Sequence, residues 1–166
     1  MAPWRGVLLP ATAALVMAAG LLVWWRAAHD DSLAMAETRD AVLIAATANI
    51  ETMNSLDYRK VDDGLAAWSA VTTGTLHDQI TQISEEDRKL LADQQKISVG
   101  QVVDAAVLDL DAAKATVVAS LEVTVSDGLD PDAEPSVKRN RFSADLVRVG
   151  GEWLLERLDQ VAVEVS

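Results

Sequence analysis

Apolar positions keep three rhythms in succession along this chain. Gly6 to Trp25 is a run of 20 residues without a charge, and a helix rising 1.5 Å per residue over that length spans about 30 Å, the thickness of a bilayer's hydrocarbon core. From Leu33 the apolar residues recur at three- and four-residue steps, at Ala36, Val42, Leu43, Ala46, Ile50, Met53 and Leu56. That spacing predicts a long helix continuing outward, with Glu37, Arg39, Asp40, Asn49 and Glu51 on its wet side. A turn at Leu56-Asp57-Tyr58 leads to a short second helix carrying Val61, Leu65 and Trp68, which Gly74 ends. Thr75-Leu76-His77-Asp78 has the form of a capping box, and Leu76, Ile80, Ile83 and Leu90 make the stripe of a third helix.

After Lys96 the period becomes two. Ile97, Val99, Val103, Ala105 and Val107 alternate in a first strand. Val117, Ala119, Leu121, Val123 and Val125 alternate with Thr116, Ser120, Glu122 and Thr124 in a second. Asp109 to Lys114 reads as the hairpin between them, and Ser126 to Ser136, rich in Asp, Gly and Pro, as a solvated and mobile loop. Val137 to Val149 and Glu152 to Val165 are two further strands joined at Gly150-Gly151, a dipeptide suited to positive φ. The inward parity of both changes partway, from Phe142, Ala144 and Leu146 to Val147 and Val149, and from Trp153 and Leu155 to Val161, Val163 and Val165. Such slips predict bulges that bend the sheet. The expected architecture is therefore α+β: an N-terminal transmembrane helix, then three helices packed on a curved four-stranded antiparallel sheet, a cone with a cavity.

The ends of the first segment sharpen it. Trp4 and Arg5 lie at one end and Trp24, Trp25 and Arg26 at the other, the aromatic and snorkelling residues expected at two membrane interfaces. Pro10 falls near the helix start, where it is tolerated. A cleavable signal peptide is the rival, because Ala34-Met35-Ala36 has the small-x-small form, but the apolar run exceeds an h-region of about 7–15 residues. The organisation read from this is a short cytoplasmic tail at 1–5, a signal-anchor helix at 6–25, a juxtamembrane helix or linker at 26–36 and an extracytoplasmic domain at 37–166. Arg5 set against Arg26 and Arg39 nearly balances the positive-inside count, so charge alone does not orient the anchor.

Net charge is −12, and it is unevenly placed. Met1 to Arg26 holds no acid, and the remaining 140 residues carry 12 basic and 26 acidic groups, a formal charge of −14. A phosphate backbone would be repelled, so nucleic acid is not an expected partner. The absence of cysteine removes disulfides, thiolate zinc sites and a cysteine nucleophile, and His29 and His77 are isolated, so no metal, cofactor or catalytic residue is expected. No Gly-rich phosphate loop, zinc-protease motif or nucleophile elbow occurs.

The stretch Ala46 to Leu56, then Leu56-Asp57-Tyr58 through Asp62 with Leu65 and Trp68, the Thr73-Gly74-Thr75-Leu76-His77 turn and Lys138-Arg139-Asn140-Arg141-Phe142 resemble, in order and spacing, the Mce-associated membrane proteins. These are small single-anchor proteins encoded with mammalian-cell-entry operons. The resemblance covers the anchor and essentially all of the rest, although the family tends to have more residues before the anchor than the five here. It implies a nuclear-transport-factor-2-like (cystatin-like) fold, also used by an assembly factor of type IV secretion, with the domain outside the cytoplasmic membrane. It further implies a non-enzymatic accessory role, stabilising Mce complexes that move lipids.

Lys138, Arg139 and Arg141 are the one basic cluster in the acidic domain, and period two puts Arg139 and Arg141 on one face with Lys138 and Asn140 on the other. They are candidates for contact with an acidic partner or lipid headgroups; the competing reading pairs them with acids on neighbouring strands, such as Glu122. Arg157 and Asp159 share parity with Trp153 and Val161 and so are candidates to face the cone, where related folds place acid/base carboxylates; the alternative is solvent. Tyr58 and Trp68 are read as core and cap residues. Two other functions stay open: a lipid-binding carrier or pocket enzyme, which would need an apolar-walled cavity with polar groups such as Asn140, Arg157 or Asp159, and a self-associating assembly factor of the secretion type.

Overall fold

The computed structural model describes residues 16–26, 31–130 and 132–161, with only the backbone of residues 31 and 32. Trp4, Arg5, His29, Val163, Val165 and the first half of the 6–25 segment lie outside the described residues. Residues 16–26 are helical and exposed throughout, Trp24 and Trp25 among them. No described helix is long and apolar enough to cross a membrane. The chain divides into two compact units between Thr38 and Arg39.

Helix α1 runs Asp31–Met53. Its second half presents Val42, Ala46, Asn49 and Ile50, all buried, at the four- and three-residue steps that keep side chains on one face. Leu56, expected at the helix end, instead opens β1 (Leu56–Asp57), and a 3-10 turn follows at Tyr58–Lys60. Three short helices come next, α2 (Val61–Ala70), α3 (Gly74–Thr81) and α4 (Glu85–Asp93). The expected third helix is thus two. The side chain of Ser84 accepts the Asp87 N–H at 3.1 Å while its hydroxyl donates to the Asp87 carboxylate at 2.7 Å, a cap that starts a new helix. Thr75 and Asp78 form no such box; α3 is led by Thr73, whose side chain makes no capping bond.

Strands β2 (Lys96–Leu110), β3 (Lys114–Asp127), β4 (Ser136–Val149) and β5 (Glu152–Gln160) complete an antiparallel sheet in the order β1-β2-β3-β4-β5. The sheet has five strands where four were expected, because Leu56 and Asp57 pair with Ser98 and Ile97. Gly150 and Gly151, with φ of 61° and 97°, make the β4–β5 turn that other residues adopt only with strain.

β3 follows its alternation as read, and its inner residues Ala115, Val117, Ala119 and Leu121 are buried with Ala144, Leu146, Trp153, Leu155 and the α1 face. β2 does not. Register shifts between Val102 and Asp104 and between Val107 and Asp109 add one residue each, so Gly100, Val102, Ala105 and Val107 face inward while Val99 and Val103 are exposed. Gly100 takes an inner position because the end of α1 sits on it: a Cβ there would lie 2.8 Å from that of Asn54. In β4 the expected slip is absent. Ala144 and Leu146 hold the inner parity, and Val149 is on the open face. In β5 the slip is real, since Glu156 is the extra residue between the Leu155–Leu146 and Arg157–Asp145 pairs. The expected loop between β3 and β4 is shorter than read and is tied down by Gly128, whose N–H donates to the Gln95 carbonyl at 2.8 Å and which packs on the Tyr58 ring.

Candidate functional site

The first half of β4 carries the basic cluster, and its register divides that cluster between two faces. Ser136, Lys138 and Asn140 lie opposite Val125, Val123 and Leu121 of the inner face; Arg139 and Arg141 lie opposite Glu122 and Ser120 of the outer face. The period-two separation holds, and no single patch of three cations forms.

On the outer face, Arg139 Nε donates to Glu122 Oε2 at 2.9 Å. With the arginine side chain 84% exposed, that pair adds little to stability and orients the guanidinium more than it binds it. Among the described residues Arg141 has no ion pair. Both arginines line a depression of about 430 Å³ with Val103, Ser120 and Glu122. Val99 and Val137 flank Thr124 one row away and are more than half exposed. This side of the sheet therefore has apolar and cationic groups in water.

On the inner face, a cleft of about 750 Å³ opens between the end of α1, α2, α4 and strands β2 to β4. Met53, Leu56, Trp68, Leu91, Val123 and Val125 form its apolar walls, and Ser136, Lys138 and Asn140 project from β4. The second cation on it, Lys96, is neutralised by Asp127 at 2.6 Å. That lysine ammonium and the Leu129 N–H hold the Asp127 carboxyl below the usual carboxylate range. Trp68, expected in the core, is half-buried here, with its indole N–H donating to the Ser55 carbonyl at 3.1 Å. Among the described residues the buried tryptophan is Trp153.

Arg157 and Asp159 stand away from the cleft. The extra residue Glu156 turns Leu158 inward and leaves both on the outer face, about two-thirds exposed, with Arg157 3.8 Å from Asp145 and 3.9 Å from Asp159. The cleft's acids are Asp127, already paired, and Glu134 in the loop before β4. Among the described residues no group of three His, Asp or Glu side chains is placed to hold a metal ion. His77 ties α3 to α2, its Nδ1 lying 3.0 Å from the Ser69 carbonyl. Tyr58 is half-buried under the Arg59 guanidinium, 5.8 Å from its ring centre.

Two residues assigned to the wet side of α1 serve elsewhere. Asn49 is buried and donates from Nδ2 to the Trp153 carbonyl at 2.8 Å. Glu51 accepts the Val102 N–H at 2.9 Å, and Ser55 accepts that of Gly100 at 2.9 Å, so the end of α1 caps the edge of β2 with side chains. A polar residue on a helix stripe next to Ile50 was the available signal for Asn49; its partner, 104 residues away, was not.

Asp57 organises the turn into α2. Arg59 donates to it from Nε at 2.9 Å and Nη2 at 2.6 Å, and from its backbone N–H at 2.9 Å. These bonds, the side-chain one foremost, lower its carboxyl to about 2. A carboxyl depressed by folding stabilises above its unfolded value near 3.9 and loses that contribution as the pH falls toward 2. Asp57→Asn should therefore flatten the pH dependence of unfolding between about 4 and 2, as read from urea midpoints across that range. A slope equal to that of the parent chain would contradict it.

No family model and no curated protein matches this sequence. Solved structures do match in fold. The periplasmic domain of DotI shares 15% identity over 75% of this chain and 95% of its own, with a TM-score of 0.60. An IcmL-like type IV secretion system protein from Legionella pneumophila shares 8% over 74% of this chain and 91% of its own, at 0.57. The VirB8 protein of Agrobacterium tumefaciens shares 10% over 76% and 94%, at 0.53. At such identities the likeness establishes the α+β, nuclear-transport-factor-2-like fold and carries no chemistry with it. The Mce-associated family has no support in these comparisons beyond that fold.

Proposed function

We propose that this chain is a membrane-anchored, non-enzymatic assembly protein whose outer domain, on the extracytoplasmic side, works by binding protein partners, copies of itself included. The observation that carries this is the uncovered outer face of the sheet, where Arg139, Arg141, Val103, Val99 and Val137 stand in water on a rigid five-stranded support. Exposed apolar side chains beside unmatched charge mark an interaction surface more than a catalytic one. The fold shared with DotI, VirB8 and an IcmL-like secretion protein supports the secretion-type assembly reading. Arg157 and Asp159, the candidates for acid–base work in the cone, face outward.

A narrower reading, an accessory subunit of an Mce-type lipid transport complex, has one observation of its own: the cleft with apolar walls and Asn140 on its rim. Recovery of the full-length protein from its native membranes, with co-purifying proteins identified by mass spectrometry, separates the two. Partners from a secretion-type envelope assembly, or further copies of the chain, support the first; Mce components support the second. Arg139→Glu with Arg141→Glu should cut recovery by about tenfold, the scale of reversing charges at a contact rim, and leave the melting temperature unchanged. Equal recovery with the double variant would remove the outer face from the contact.

A further inference from the structure

The inward-facing residues of β4 change character halfway along the strand. Phe142, Ala144 and Leu146 belong to the core, whereas Ser136, Lys138 and Asn140, on the same face, are polar and lie across from Val125, Val123 and Leu121. The Lys138 ammonium stands at the open side of the cleft, exposed to solvent and within reach of an incoming anion. Lys96, the other cation on the cleft, already has Asp127. Among the described residues no carboxylate lies within ion-pair distance of Lys138, Glu134 included.

Asn140 points the same way. Its Oδ1 accepts the Gln160 Nε2–H at 2.9 Å, which leaves both Nδ2 hydrogens to donate. Lys138 and Asn140, two residues apart on one face, thus bring an ammonium and an amide NH2 to one side of the cleft. The other walls are apolar: Trp68, Leu91, Met53, Leu56, Val123 and Val125. At about 750 Å³ the cleft is in the size range of small-molecule sites. On a chain whose residues after Arg26 carry a formal charge of −14, an unpaired ammonium beside apolar walls selects for a negative head on an apolar body.

We propose that this cleft binds a single-chain amphiphile with an anionic headgroup, the head held by Lys138 and Asn140 and the chain lying along Trp68, Leu91, Val123 and Val125. Carboxylate and phosphate heads share this chemistry, and the experiment distinguishes them. Full-length protein in nanodiscs of zwitterionic phosphatidylcholine is photolabelled with three probes of one diazirine-bearing chain, ending in a carboxylate, a monophosphate or an alcohol. Adducts are mapped by mass spectrometry. At least one anionic probe should label the apolar walls saturably, and the one that does so names the head. The alcohol, and either anionic probe with Lys138→Glu, should label about tenfold less, the scale of a lost charge-assisted hydrogen bond, while Lys138→Arg retains labelling. Lys138 is exposed, so its replacement should leave the melting temperature unchanged. Equal labelling by the alcohol, undiminished labelling of Lys138→Glu, or adducts by neither anionic probe in the cleft would overturn the proposal. None of these outcomes depends on Arg139 or Arg141, so the assembly reading stands or falls separately.

Discussion

Trp153→Ala should lower the free energy of unfolding by about 3–5 kcal/mol, the range for truncating a large aromatic side chain in a packed core. Trp153 is 6% exposed and belongs to the cluster that joins Ile50 of α1, Leu121 of β3, Leu146 of β4 and Leu155 of its own strand. Cutting back its ring opens a void where one helix and three strands meet, and the backbone there is pinned by the Asn49 bond, so the site can collapse only partly. The Arg148 guanidinium, 5.9 Å from the ring centre, loses its aromatic surface as well. Trp68→Ala should cost roughly half as much, because its ring lines an open cleft and part of its area is already in water. Urea denaturation of the two variants beside the parent, followed by far-UV circular dichroism, measures both; a Trp68 variant as destabilised as the Trp153 variant would mean that the cleft is part of the core.

Reading along the chain turned both tryptophans inward, but only Trp153 is buried while Trp68 borders the cleft, and the cause is general. Periodicity reports which residues share a face but not what lies over that face. Trp68 completes the Val61-Leu65-Trp68 stripe of α2, and only the arrangement of α1, α4 and β2 to β4 leaves the far end of that stripe bordering a cleft. β3 was legible because it is central, with hydrogen-bonded neighbours on both sides and no bulge. β2 was not, since its two extra residues reset the parity and Gly100 holds an inner position by having no side chain. β1 was invisible as a strand: two residues acquire that identity only from Ile97 and Ser98, some forty positions on. The candidate site lay between these cases. Alternation alone separated Arg139 and Arg141 from Lys138 and Asn140, but the cleft in front of one pair and the bare sheet around the other follow from long-range packing.

Asn49→Asp should destabilise the domain by about 3–5 kcal/mol at pH 7, the scale of an uncompensated buried charge, and by much less in acid. Asn49 is 8% exposed, 104 residues from its partner, and joins α1 to β5 through the Trp153 carbonyl. The amide donates. An ionised carboxylate of the same shape cannot; it would face a carbonyl oxygen inside an apolar cluster. Protonated, the new carboxyl regains a donor for that carbonyl. Its folded-state pKa therefore rises above the unfolded value of about 3.9, so the variant's stability is retained below that pH and lost as the pH climbs through the raised value. Asn49→Leu is the control: it leaves the same carbonyl unpaired for about 1–3 kcal/mol and adds no titratable group. Near pH 4 the urea midpoint of Asn49→Asp should lie above that of Asn49→Leu, and toward pH 7 it should fall below it, opposite in direction to the Asp57 contribution. A constant difference between them over that interval would mean that water reaches Asn49, and that the junction of α1 with β5 is not the dry contact on which the position of the sheet's inner face depends.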